Sequence, residues 1–154
     1  MTALLVRIVS GGQTGVDRGA LDAAIEAGVA HGGWCPRDRR AEDGRVPERY
    51  RLTEVEAHDY AVRTERNVVD SDATLVLAVG RPRDGTALTC RLAREHGKPC
   101  LVVDLEHPVA PEEVRGWIAA AGVRVLNVAG PRESSYPGVQ ERAADFMRRV
   151  LGGT

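Results

Sequence analysis

The stretch ALLVRIVSGGQTGVDRGALDAAIEAGV, residues 3–29, joins an apolar run to a glycine-rich turn and an amphipathic segment. Residues 3–9 are almost continuously apolar, which is typical of a strand covered on both faces, as in a parallel sheet. After the turn, Val16, Ala20 and Ala24 recur at helical spacing, and Gly28 supplies the left-handed residue that closes a helix. The stretch therefore predicts a strand, a turn and a helix, which begin a β-α-β unit.

The same alternation recurs along the chain. Further apolar runs lie at residues 73–79, 100–105 and 123–128, and the segments EHGKP and AAGV again place a glycine between a helical pattern and the next run. Repeated crossovers of this kind predict an α/β fold, Rossmann-like and doubly wound, with a mainly parallel sheet and helices on both faces. The length is suited to one domain, residues 1–154.

The remaining elements are less regular. We expect a short strand at residues 31–35, a helix over about 54–71 and a last helix over about 139–151. Residues 36–52 contain two prolines and many charges, and they predict a long loop that is either a functional lid or poorly ordered. Its arginines, Arg37, Arg39, Arg40 and Arg45, are expected to be solvated.

Composition and charge narrow the function classes. A formal net charge of -1 provides no overall field that would attract nucleic acid or an anionic membrane, so neither is expected as a partner. The sequence lacks the pattern of a signal peptide and has no apolar run of membrane-spanning length, and we expect a cytoplasmic protein. The three cysteines and four histidines lack the spacing of metal ligands, so no metal site is expected.

Three polar or glycine-rich loops follow the predicted strands. They are SGGQTGVDRG at residues 10–19, GRPRDGT at 80–86 and NVAGPRESS at 127–135. Because ligands of open α/β sheets bind at the carboxyl ends of the strands, these loops are expected to form one crevice. Glycines followed by the unpaired N–H groups of a helix start are typical of a phosphate site.

The predicted ligand-binding residues are distributed over the three loops and the helix before the third strand. In the first loop, the amides of Gly11 to Gly15 and the Arg18 side chain would hold a phosphate, and Asp17 would complement the helix dipole or bind a ligand hydroxyl or ring nitrogen. The full set is Gly11, Gly12, Gln13, Thr14, Gly15, Asp17, Arg18, Thr64, Asn67, Gly80, Gly85, Thr86, Gly130, Arg132 and Ser134. No catalytic residue is predicted.

Each part of this site also has a purely structural interpretation. The glycine loop could only tighten the packing of helix on strand, Gly85-Thr86 could be a plain helix cap, and residues 132–135 could be a solvated turn. The polar face of Thr64 and Asn67 could be a half-exposed helix surface. Neither the dinucleotide fingerprint GxGxxG nor the P-loop GxxxxGK[ST] is present, which disfavours NAD and Walker-type ATP binding.

Several long strings, in order, carry a family resemblance. The segments SGGQTGVDRGALDAA, GWCPRDRRAEDGRVPERY, RTERNVVDSDATLVLAVG, GTALT, KPCLVVDL and LNVAGPRES resemble the molybdenum carrier proteins, a branch of the Rossmann-like superfamily of lysine decarboxylase-like, nucleotide-processing proteins. The resemblance implies a cytoplasmic carrier for molybdenum cofactor (molybdopterin), a phosphorylated pterin that holds its metal through a dithiolene. It also implies a homo-oligomer and a molybdoenzyme as the acceptor of the cargo.

The related enzymes that cleave nucleoside monophosphates carry PGGxGTxxE in the second loop. Here Thr89 occupies the glutamate position, and Arg83-Asp84 replace the paired glycine, which speaks against glycosidic hydrolysis. A non-catalytic binding protein is therefore the first hypothesis. An enzyme or sensor for a nucleotide or nucleotide-derived metabolite is the second, and an interaction module whose glycine loop only packs is the third.

Overall fold

The computed structural model describes residues 5–152 of the chain. Its strands are β1 (Arg7–Val9), β2 (Ala30–Gly32), β3 (Trp34–Cys35), β4 (Arg40–Ala41), β5 (Gly44–Arg45), β6 (Thr53–Glu54), β7 (Ala73–Ala78), β8 (Cys100–Asp104) and β9 (Val125–Ala129). Its helices are α1 (Val16–Ala27), α2 (Tyr60–Val69), α3 (Asp84–Glu95), α4 (Pro111–Ala120) and α5 (Val139–Gly152). No helix within this range is both long and apolar enough to cross a membrane.

Five strands form the main sheet in the order β2-β1-β9-β7-β8, and every neighbouring pair is parallel. The Rossmann-like prediction is therefore confirmed. The last strand, β9, lies in the middle of the sheet between β1 and β7. If the five strands of this sheet are numbered with β9 first, followed by β1, β2, β7 and β8, their order across the sheet becomes 3-2-1-4-5. This is the strand order of a dinucleotide-binding Rossmann fold.

Helices cover both faces of this sheet. The larger core contains apolar side chains of α1, α4 and α5 and one face of the sheet, including Leu75 and Leu77 of β7. On the other face, Val68 of α2 packs with Leu92 and Ala93 of α3. All six residues of β7 are buried, as its continuous apolar run predicts.

The glycines predicted at the ends of three helices have the expected conformation. Gly28, Gly97 and Gly122 have φ values of 72°, 66° and 65°, in the left-handed region. The last helix also occupies the range expected for it.

Two predicted elements differ from the structure. The single strand expected at residues 31–35 is interrupted at Gly33, whose φ of 128° sends β3 away from the main sheet to pair with β6. The helix expected from residue 54 begins only at Tyr60, because Glu54 belongs to β6 and the Asp59 carboxylate caps the helix by accepting from the Ala61 amide at 2.8 Å.

The prediction of an irregular, solvated loop at residues 36–52 is wrong. The segment forms the antiparallel pair β4-β5 and packs Ala41, Val46 and Tyr50 against Leu21 of α1 in a small second core. The sequence suggested a loop because short strands and isolated apolar residues give no sustained periodicity. Arg39, expected to be solvated, is only 6% exposed, whereas Arg37, Arg40 and Arg45 are exposed as predicted.

Candidate functional site

A cleft of about 640 Å³ opens at the carboxyl ends of β1, β7 and β9, between α2 and the start of α3. Ten of the fifteen predicted residues line it: Gly11, Gln13, Asp17, Thr64, Asn67, Gly85, Thr86, Gly130, Arg132 and Ser134. The other five, Gly12, Thr14, Gly15, Arg18 and Gly80, do not. All three predicted loops thus contribute to one crevice, although five of the predicted residues lie outside it.

Three amides of the glycine loop are not available to a ligand in the predicted way. The amide of Gln13 donates to the Asp17 carboxylate at 3.2 Å, and that of Thr14 to the Gln13 side chain at 3.1 Å. The amide of Gly15 donates to Gln140 of α5 at 3.2 Å. Because these three donors already have partners inside the protein, the expectation that the amides of Gln13, Thr14 and Gly15 hold a phosphate is corrected.

The start of α1 is closed by the loop after β9. The Val16 amide donates to the Pro131 carbonyl at 3.1 Å, and a Cβ built on Gly15 would lie 2.4 Å from that same carbonyl oxygen. A Cβ built on Gly12 would be similarly close to side-chain atoms of Leu52 and Val46 in the small core. At these two positions the glycines permit close packing, which is the structural alternative that the sequence left open.

Arg18 holds two segments together instead of facing the cleft. Its guanidinium forms two hydrogen bonds to the Asp43 carboxylate, at 2.6 and 2.8 Å, and its Nε donates to the Gly12 carbonyl at 2.9 Å. Its side chain is buried, and these contacts fix the β4-β5 turn to the glycine loop. The expectation that Arg18 binds an anion is corrected because its donors point away from the crevice.

Thr14 and Gly80 also have local roles. The Thr14 hydroxyl is hydrogen-bonded to Glu42 and accepts from the Glu133 amide at 3.2 Å, so it joins the first and third loops to the small core. Gly80 is exposed, and its amide donates to the Asp104 carboxylate at 3.0 Å. Neither residue is placed to contact a molecule in the cleft.

Arg63 of α2 is the cation in the floor of the cleft, and the sequence analysis missed it. Nη1 donates to the Gly11 carbonyl at 2.8 Å, Nε to the Thr64 hydroxyl at 3.2 Å, and Nη1 lies 3.8 Å from the Asp17 carboxylate. Nη2 makes no hydrogen bond to any residue of 5–152. Since every buried side-chain polar atom in this range has a partner, Nη2 must be accessible to solvent, and Arg63 lines the cleft. Arg63 lies four residues before Asn67, and therefore on the same face of the helix, which was the signal available in the sequence.

Asp17 is a buried carboxyl group that also lines the cleft. Burial raises its pKa, and the Arg63 charge and the hydrogen bond from the Gln13 amide only partly oppose that rise. Asp17 is therefore a carboxyl group with a raised pKa that lies beside a cation in the cleft.

The start of α3 forms the opposite wall. Thr86 is only 7% exposed and lines the cleft, but its hydroxyl makes no hydrogen bond among the described residues. By the same reasoning as for Arg63, this hydroxyl oxygen reaches the cleft. The Thr86 and Ala87 amides donate to the Arg83 carbonyl at 2.9 and 3.1 Å, whereas Gly85, with nothing within 4 Å of a Cβ built on it, leaves its part of the first turn open to a ligand.

The remaining predicted residues are at the rim or already have partners. Asn67 exchanges two hydrogen bonds with the Trp34 backbone, at 2.8 and 3.0 Å, and so fixes β3 to α2. Gly130 allows close packing, since a Cβ there would be 2.2 Å from the Leu77 carbonyl oxygen. Arg132 is half-exposed at the mouth, 3.8 Å from Glu42, the carboxylate that also binds Ser134.

The fold and the cleft define a class, that of Rossmann-like domains with a cleft at the carboxyl edge of a parallel sheet, where ligands of such folds generally bind. A family model described as the circularly permutated YpsA SLOG family matches residues 8–151, and this chain belongs to that family. The permutation agrees with the position of β9, which opens the Rossmann strand order although it comes last in the chain.

A solved structure supports the same relationship. The chain is similar to a crystal structure from Syntrophus aciditrophicus SB described as a "putative molybdenum carrier protein", with 42% sequence identity and a TM-score of 0.92 over 96% of each chain. The resemblance drawn from the sequence is thereby confirmed. No curated protein matches this sequence.

Proposed function

We propose that this protein binds and carries a phosphorylated pterin of the molybdenum cofactor type, with the phosphate between Arg63 and the first turn of α3. The observation that carries the proposal is the accessible Nη2 of a guanidinium that is itself only 8% exposed. A buried cation with free donors favours an anionic partner, and a planar guanidinium is suited to phosphate oxygens.

The rest of the cleft suits such a ligand. Its volume is within the range of small-molecule sites, and the start of α3 provides the Thr86 hydroxyl and the Gly85 N–H group on the other side of the cleft from Arg63. Asn127 and Asp17 place an amide and a carboxyl group along the floor, where they could pair with the nitrogens of a pterin ring. The molybdenum in the name of the similar crystal structure supports this cofactor class.

The donor set also fits the way in which this cofactor carries its metal. Within residues 5–152, no group of three or more His, Cys, Asp or Glu side chains is placed to hold a metal ion. When bound, the cofactor would bring the metal on its own dithiolene, so the chain needs to hold only the organic part and the phosphate. Arg63, Thr86 and Asn127 would do so, and Tyr60 and Tyr136 line the same cleft.

Arg63→Met is expected to weaken cofactor binding by about 10- to 150-fold, the loss of one charge-assisted hydrogen-bonding group. The wild-type protein, purified from cells that make the cofactor, should contain molybdenum in near-stoichiometric amount by native mass spectrometry and elemental analysis, and the variant should contain little.

The matched control is Arg81→Met, because Arg81 is exposed on the loop before α3 and does not line the cleft. This control should keep its molybdenum, and thermal melting should show that both variants are folded. Wild-type protein without molybdenum, or Arg63→Met with a full complement, would contradict the proposal.

Asp17 favours a second candidate, an enzyme acting on a nucleotide or a nucleotide-derived metabolite. A carboxyl group whose pKa is raised by burial, 3.8 Å from a cation, is suited to general acid-base chemistry. We expect Asp17→Asn to abolish turnover of any substrate found among AMP, ATP, NAD and ADP-ribose, measured by chromatography of the products. If the wild type converts none of them, or if the variant converts them equally well, this candidate is excluded.

A further inference from the structure

Strand β8 is an unprotected edge of the main sheet. It pairs with β7 on one side, and no strand of residues 5–152 lies on its other side. The opposite edge strand, β2, has only three residues, whereas β8 has five. Proteins usually protect such an edge with lysines, prolines or a bulge, because its free backbone groups can pair with another chain. Residues 100–104 contain no lysine or proline, and they pair one to one with β7 without a bulge.

The register with β7 shows which backbone groups of this edge are free. The Thr74 amide donates to the Pro99 carbonyl at 3.0 Å. Because alternate residues of a strand face its neighbour, the odd-numbered residues of β8 bond to β7, and the even-numbered ones face away from it. The amides and carbonyls of Cys100 and Val102 and the amide of Asp104 therefore have no partner in the described part of the chain.

The side chains of β8 favour a second copy of the same strand as the partner. Val102, at the centre of the strand, is apolar but 43% exposed, and a β-branched residue opposite another stabilises a strand pair. The two ends of the strand carry opposite charges. Lys98 precedes it, held by a hydrogen bond to the Ser71 carbonyl at 2.8 Å, while Asp104 and Glu106 lie at the other end. In an antiparallel pair of identical strands, each basic end thus lies near an acidic end.

We propose that two copies of this chain pair their β8 strands in antiparallel orientation, about a two-fold axis at Val102, so that the two main sheets become one. Val102 then lies opposite Val102 of the second copy, and Cys100 lies opposite Asp104. In this register every residue with outward-facing backbone groups meets another such residue. Because both copies use the same surface, the assembly closes as a dimer. A parallel pair would instead bring Lys98 to Lys98.

Val102→Pro tests the backbone pairing. Proline removes an N–H group that faces away from β7, so the variant keeps the hydrogen bonds of the single chain. The dimer loses two N–H···O bonds, and its dissociation constant should rise by about 10-fold or more, measured by sedimentation velocity over a range of concentrations. Val102→Thr is the matched control, because it keeps both the N–H group and the β-branched shape, and it should remain dimeric. Circular dichroism shows whether each variant is folded.

Val102→Cys tests the register independently of affinity. Directly opposite, hydrogen-bonded residues of an antiparallel pair have Cα atoms about 5.5 Å apart, a separation that a disulfide can bridge. Mild oxidation with glutathione disulfide should therefore link two copies of this variant, seen as a doubled mass in non-reducing electrophoresis. Val109→Cys is the control, because Val109 is also exposed but lies outside β8. It should remain unlinked, like the wild type.

The possible outcomes separate this interface from other arrangements. A wild-type protein that is monomeric at every concentration would overturn the proposal. A dimer that persists in Val102→Pro, together with no disulfide-linked dimer of Val102→Cys, would show that the copies associate through another surface, and the role of β8 would be wrong. If Val102→Pro is not folded, the oxidation of Val102→Cys against Val109→Cys decides alone.

Discussion

Arg39→Met lowers the free energy of unfolding by about 3–5 kcal/mol, the expected cost of leaving several buried polar groups without partners. The Arg39 guanidinium is buried and donates four hydrogen bonds to backbone carbonyls of the small core. The acceptors are Val46 at 3.0 Å, Pro47 at 2.8 Å, Tyr50 at 2.7 Å and Leu52 at 3.4 Å. Methionine fills a similar volume but donates to none of them, so residues 46–52 lose the group that organises them.

Urea denaturation followed by circular dichroism measures this loss. Arg37→Met is the matched control, because Arg37 is exposed and lies in the same 3-10 turn, Arg37–Arg39, and its cost should stay within about 0.5 kcal/mol. A loss below about 1 kcal/mol for Arg39→Met would show that the carbonyls find other partners, or water, and that the guanidinium does not hold the segment together.

Gly15→Ala destabilises the protein by about 3–5 kcal/mol, because two separate costs add up at this position. The φ of 86° and ψ of -133° at Gly15 belong to a region that L-residues rarely adopt. In addition, the new Cβ would meet backbone atoms of Pro131, Arg132 and Glu133 at 2.4 to 2.7 Å, and backbone cannot rotate away as a flexible side chain can. The loop after β9 would have to leave the start of α1.

Gly28→Ala separates the two costs. Gly28 also has a positive φ, 72°, but its ψ of 21° places it in the αL region, which costs an L-residue less than the conformation of Gly15, and nothing lies within 4 Å of a Cβ built there. Its replacement should therefore show only the conformational cost, about 1–2 kcal/mol. Equal losses in the two variants, measured by thermal or urea unfolding, would mean that the approach of residues 131–133 to Gly15 contributes nothing.

The sequence predicts the main sheet well because the signal for it is local. Continuous apolar runs identify four of its five strands, and the glycines that end the helices identify three of the joints between them. The strand order is not local information. That β9 lies between β1 and β7 depends on contacts between residues more than one hundred positions apart, such as the 2.6 Å hydrogen bond from the Ser10 hydroxyl to the Val128 carbonyl.

The site was predictable as a place more than as a set of contacts. The rule that ligands bind at the carboxyl ends of parallel strands identifies loops that meet at one cleft, since ten of the predicted residues line it. Composition could not separate a cleft-facing arginine from a structural one. Arg18 and Arg63 look alike in the sequence, and only the position of Asp43, 25 residues from Arg18, takes the first of them away from the cleft.

The central position of β9 has a consequence for biosynthesis. Until this strand has left the ribosome, the pair β2-β1 and the pair β7-β8 have no common neighbour, and each is a two-stranded fragment with an exposed edge. The nascent chain therefore cannot complete its sheet during most of translation. Cotranslational chaperones that shield open strand edges are expected to matter more for this permuted chain than for a Rossmann domain whose central strand is made first.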